Sequence, residues 1–135
     1  MHHTITRLAE AMNRHDPEGM AACLATDYRS EQPMHPNRGF GGSAQVVENW
    51  TAIFGAVPDM VAELVTEMND GTTSFSEWRW HGHRPDGSPY AIRGVILNGL
   101  RDDGLIQWAR LYAEPVEEGG ANIVEATRAM VAGSG

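Results

Sequence analysis

The chain of 135 residues has no lysine: all ten of its basic residues are arginine, against eighteen acidic residues for a net charge of -8. That sign is wrong for holding a phosphate backbone by counterion release, which argues against nucleic acid as a partner. There is a single cysteine, Cys23, so no internal disulfide can form. No uninterrupted run approaches the roughly 18 apolar residues of a membrane helix, because Arg, Glu, Asp or Gly breaks every candidate. Neither a membrane span nor an export signal is expected, and a cytoplasmic location follows. Repeats and low-complexity tracts are also missing. What is present, 41% hydrophobic and 21% charged residues with fifteen glycines and seven prolines, is the composition of a folded globular domain. The length suits a single domain over 1–135, with a core over about 4–115 and a tail over 116–135.

Ile5, Leu8 and Met12 share one face at helical spacing, with Arg7, Glu10 and Arg14 opposite, which predicts a first helix over 4–15. Asp16-Pro17-Glu18 starts a second, with a capping carboxylate and a proline where its missing N–H costs nothing. Its apolar positions are Met20, Cys23 and Leu24, its expected end is Thr26-Asp27, and Cys23 reads as core filler. A short strand over 28–32 stops at Pro33, and the prolines and glycines of 33–42 read as a loop. Ser43 can cap a third helix, whose stripe Val46, Val47, Trp50, Ile53, Phe54 and Val57 runs to Pro58. From there the pattern is of strands over 60–69, 72–83, 90–100 and 105–113, joined by turns at Asn69-Asp70-Gly71, 84–89 and Asp102-Asp103-Gly104: an antiparallel meander. Ile123, Thr127 and Met130 predict a short last helix beyond the hinge 117–120. The fold class is therefore α+β: a curved antiparallel sheet, bent at Gly82, Gly94 and Gly99, with three N-terminal helices on one face.

The order of elements resembles the nuclear transport factor 2-like superfamily and, within it, the SnoaL-like branch that includes polyketide cyclases. The residues that carry the resemblance are Asn13-Arg14-His15-Asp16 closing helix one, Ala25-Thr26-Asp27-Tyr28 leading into a strand that ends at Pro33, and Gly42 before helix three. Asp103-Gly104-Leu105-Ile106 then leads into Trp108-Ala109-Arg110-Leu111-Tyr112-Ala113-Glu114-Pro115, so the likeness spans about 4–115. It implies a cone-shaped α+β barrel holding one small-molecule pocket, in a homodimer formed through the outer sheet face. The superfamily includes isomerases, cyclases, hydrolases, dehydratases and binders, so the chemistry rests on individual positions. The aspartate base of ketosteroid-isomerase-like members falls on Gln32, and their tyrosine and aspartate oxyanion donors fall on Leu8 and Ile96. The last-strand aspartate of limonene-epoxide-hydrolase-like members falls on Leu111, and their Arg-x-Asp pair on Glu77-Trp78-Arg79 in reversed order.

Strand 72–83 offers other chemistry. Alternation puts Glu77, Arg79 and His81 on one face and Trp78 and Trp80 on the other. Either the tryptophans fill the interior and the charges meet water, or the charges line the pocket and the tryptophans enter a dimer interface. Family spacing favours the second, in which Glu77 or His81 is a general base and Arg79 an electrostatic clamp. His81-Gly82-His83 with Glu77 or Glu31 is a weaker metal-ligand pattern, since a catalytic zinc wants three protein ligands at defined spacing. No metal or cofactor is implied. His35 and Arg38 would guard the mouth, and Tyr28, Trp50, Phe54 and Leu111 would line the hollow, with Gln32 and Asn98 orienting the ligand. The reading is an enzyme performing cofactor-free proton transfer on a hydrophobic carbonyl compound, or else a non-catalytic binder of the same fold.

Overall fold

The computed structural model describes residues 2–133. Helices α1 (His3–Asn13) and α2 (Pro17–Ala21) lead into β1 (Leu24–Glu31). A 3-10 turn, Pro36–Arg38, precedes β2 (Phe40–Gly41) and α3 (Ser43–Ala56). Then follow β3 (Val61–Asn69), β4 (Thr73–His83), β5 (Pro89–Leu100), β6 (Ile106–Pro115) and α4 (Ile123–Val131). The six strands form one sheet in the order β2-β1-β6-β5-β4-β3. The meander β3 to β6 is antiparallel throughout, as its turn chemistry predicts, whereas β1 joins β6 in parallel.

The apolar stripe of α1 is buried, with Ile5 at 0% exposure, and Thr4 Oγ1 ties that helix to the β5–β6 turn by donating to the Gly104 carbonyl at 2.7 Å. The motif closing α1 anchors the edge of the sheet. Asn13 donates from Nδ2 to the Ala62 carbonyl at 2.9 Å and accepts the Ala62 N–H at 2.8 Å, occupying the free edge of β3 as a partner strand would. His15 sits at a positive φ of 53° with Nε2 2.7 Å from the Met60 carbonyl oxygen, and Asp16 caps α2 by accepting from Gly19 N at 3.0 Å.

Three local expectations change. Helix α2 ends at Ala21 rather than near Thr26, because the chain turns at Cys23, whose carbonyl accepts the N–H of Ile106 and begins the pairing with β6. The expected loop 33–42 contains the two-residue strand β2, paired with Arg29 and Ser30. Gly42, at φ 93°, takes the cap position of α3, and Ser43 is the first helical residue. Of the glycines expected to bend the sheet, Gly94 and Gly99 are sites of close approach. A Cβ at Gly94 would lie 2.3 Å from the Tyr112 carbonyl oxygen, and one at Gly99 would meet the Trp108 indole. The register of β5 against β6 slips next to Gly99. Helices and sheet enclose one continuous core into which Trp78, Trp80, Met20, Phe54 and Ile106 pack. No described helix is long and apolar enough to cross a membrane.

Candidate functional site

Between the concave face of the sheet and helices α1 and α3 lies a cavity of about 440 Å³. Strand parity decides what faces it. On β4 the inward residues are Ser74, Ser76, Trp78 and Trp80, buried to between 0 and 5% exposure, and the tryptophan rings stack at 5.4 Å with planes 5° apart. Glu77, Arg79 and His81 therefore point to the outer face, which corrects the expectation that they line the pocket. Burying two indoles outweighs any gain from enclosing three ionisable groups. His81 Nε2 is 2.8 Å from Glu63 Oε1 of β3, Arg79 stands in register between Glu63 and Arg93, and Glu77 pairs with Val95. His83 is engaged separately by Asp59, 2.8 Å from its Nδ1.

Tyr28, Gln32, Trp50, Asn98 and Leu111 line the cavity as expected. Phe54 does not: its ring is buried behind the wall, stacked on His15 at 4.4 Å and tilted against Trp50 at 5.5 Å. Leu8, Gln32, Ile96 and Leu111, four of the positions onto which the family resemblance maps catalytic side chains, lie in the lining, whereas Glu77 and Arg79, which stand where an Arg-x-Asp pair is expected, face outward. This chain fills those four positions with three aliphatic groups and one amide. The walls otherwise consist of aliphatic and aromatic residues such as Leu24, Phe40, Val46, Ile53 and Ile92, with neutral polar groups on Tyr28, Ser30, Asn49 and Asn98. Among the described lining residues only Arg38 and Glu114 carry charge, and both are at the exposed end.

That exposed end is a small polar network. The loop after β1 folds back through the His35 N–H, which donates to the Gln32 carbonyl at 2.7 Å. Arg38 Nη1 donates to Gln32 Oε1 at 3.1 Å, and His35 Nε2 is 2.5 Å from Glu114 Oε1. His35 thus holds a mouth carboxylate rather than lining the cavity itself. Deeper in, burial pushes the Tyr28 phenol above its ordinary pKa, partly offset by a hydrogen bond with Ser30, so it stays a neutral O–H at pH 7. Trp80 Nε1 is buried without an acceptor, the one such buried side-chain atom among the described residues. Cys23, in the core, has its thiol pKa raised by burial. A second depression of about 410 Å³ between β1 and β6 is lined by Asp27, Arg29, Glu31 and Arg110; Asp27 Oδ1 accepts from Gln107 Nε2 at 3.0 Å, and the Arg110 guanidinium lies over the Trp108 ring.

Strand alternation with the ordinary preference for indoles inside would have oriented β4 correctly. Ser30, Tyr90 and Glu114 join the lining through tertiary placement alone, whereas Leu8 carried a signal in the family spacing, Trp80 in strand alternation and Arg38 in its place in the glycine- and proline-rich loop.

A family model described as a SnoaL-like domain matches residues 5–109. No curated protein matches the chain. Solved structures are similar in fold. A hypothetical protein with ketosteroid isomerase-like fold from Catenulispora acidiphila, in complex with trimethylamine, has a TM-score of 0.70 at 16% identity, covering 81% of this chain and 83% of that one. A Mycobacterium tuberculosis protein in complex with estradiol-17beta-hemisuccinate has a TM-score of 0.69 at 19% identity over 81% and 89%. The epoxide hydrolase/cyclase-like enzyme SalBIII, of pyran ring formation in polyether salinomycin, has a TM-score of 0.72 at 15% identity over 83% and 88%.

Proposed function

The chain belongs to the SnoaL-like domain family, and from that membership together with its cavity we propose that it binds a small, largely apolar molecule inside the cone. The observation that carries this reading is the composition of the lining: aliphatic and aromatic walls around a few neutral polar groups, with charge confined to the mouth. Relatives of the same fold crystallised with small molecules support it. Binding is the primary activity because Leu8, Gln32, Ile96 and Leu111 cannot exchange a proton at neutral pH. A ligand that occupies only the folded state raises the melting temperature, by several degrees at a concentration about a hundred times its Kd. Thermal-shift screening against aromatic polyketides, steroids and terpenoids tests this. A complete absence of shifts at the solubility limit of every compound would sink it.

A further inference from the structure

One row of the cavity wall is polar where most of the lining is aliphatic or aromatic. Pairing aligns one row across the inner face: Ser30 of β1, Ala109 of β6, Asn98 of β5 and Ser74 of β4. All four are buried, at 3%, 2%, 4% and 0% exposure. A polar group withdrawn from water is costly unless something bonds it, so each member of the row must be accounted for. Ser74 donates its hydroxyl to Glu67 Oε1 at 3.1 Å. Ser30 bonds the Tyr28 phenol. Asn98 donates Nδ2 to the Trp108 carbonyl at 3.4 Å, and since that carbonyl can only accept, the amide nitrogen is fixed toward the strand. The amide oxygen is left toward the cavity, and no described residue donates to it.

Ala109, between Ser30 and Asn98, raises only a methyl group into the gap. Strands lie about 4.8 Å apart, so the Ser30 and Asn98 backbones are about 10 Å apart across β6, and their side chains narrow that distance. The remaining space suits one oxygen atom with a hydrogen bond of about 2.8 Å on each side. On one side waits an acceptor, Asn98 Oδ1. On the other is the Ser30–Tyr28 pair, in which one hydroxyl bonds the other and one proton is left to donate. A ketone or ether oxygen has no hydrogen for Asn98, and a carboxylate would meet no cation in this row, Arg38 being exposed and held on Gln32.

We infer that the ligand carries a neutral hydroxyl, alcoholic or phenolic, where it meets this row, and that Asn98 and the Ser30–Tyr28 pair select it over the matching ketone or ether. The inference rests on the pocket reading above. Calorimetric titration with 2-naphthol, 2-methoxynaphthalene and 2-acetylnaphthalene at pH 7 tests both separately. The naphthol should bind about tenfold more tightly than the other two, and Asn98→Leu should abolish that preference while still binding the ether. Tyr28→Phe should reduce the preference as well, and it decides the matter if Asn98→Leu fails to give the parent's circular dichroism. Equal affinities for the three compounds, or a preference unchanged in the folded variants, overturn the hydroxyl selection alone. Absence of binding by all three overturns the pocket reading with it.

Discussion

Two neighbouring tryptophans show how much a single polar atom decides. Trp78 Nε1 donates to Ser76 Oγ at 2.7 Å, and Ser76 in turn donates to the Ile96 carbonyl at 3.2 Å, so the buried indole is bonded into the sheet. Trp80, stacked on it, has the same ring and an N–H with no acceptor. Replacing either with phenylalanine removes similar volume, but only Trp78→Phe removes a satisfied hydrogen bond, while Trp80→Phe removes an unmet one. Trp78→Phe should therefore be the more destabilising by roughly 1–3 kcal/mol in urea unfolding. Equal losses would mean that the Trp80 indole finds a partner in solution.

Among the elements, the β3–β4 turn has the clearest local cause. The Asp70 carboxylate accepts from Thr72 N at 2.9 Å, Thr72 Oγ1 at 2.9 Å and Thr73 N at 2.8 Å, and these bonds hold its pKa at about 2 against the usual 3.8. A depressed carboxyl adds stability above its unfolded pKa and loses it as pH falls through the folded one. Asp70→Ala should melt below the parent at pH 7, and the gap should close between about pH 4 and pH 2; a gap independent of pH would refute the role. This turn was legible in the sequence, as were α3 and the four strands of the meander, because their periodicities and turn residues act over a few neighbours. The end of α2 was not, since Cys23 and Leu24 are apolar in either a continuing helix or a starting strand. Nor was the parallel pairing of β1 with β6, because alternation within a strand does not name its neighbour. Of the site, Tyr28, Gln32, Asn98 and Leu111 were legible through strand parity and the family likeness. The orientation of β4 was lost when family spacing was set above the pull of two indoles toward the interior.

For the molecule as a whole, the outward face of the sheet remains to be covered. Phe75, Val95 and Leu97 are half-buried there, and Tyr112 and Met68 are exposed at 42% and 63%. In the cross-strand rows, Glu63, Arg79, Arg93 and Glu114 lie side by side, alternating with apolar pairs such as Val95 and Tyr112. We propose this face as the homodimer interface, with apolar rows set between charged ones. Light scattering should report about twice the monomer mass for the parent and the monomer mass for a Leu97→Glu, Tyr112→Glu double variant; a monomeric parent would refute the assembly.

The parallel join between the first and last strands also governs when the domain can exist. Leu24 pairs with Ile106 and Glu31 with Arg110, so β1 waits for partners made at the far end of the chain. On the ribosome, α1, α2 and β1 emerge with their oily sides uncovered, and the wall they share with β6 cannot close until some eighty further residues have been synthesised. Contacts of such long range are slow to form and leave the unfinished chain open to mispairing. The two-residue strand β2, paired along the outer edge of β1, gives that waiting strand one early neighbour of its own.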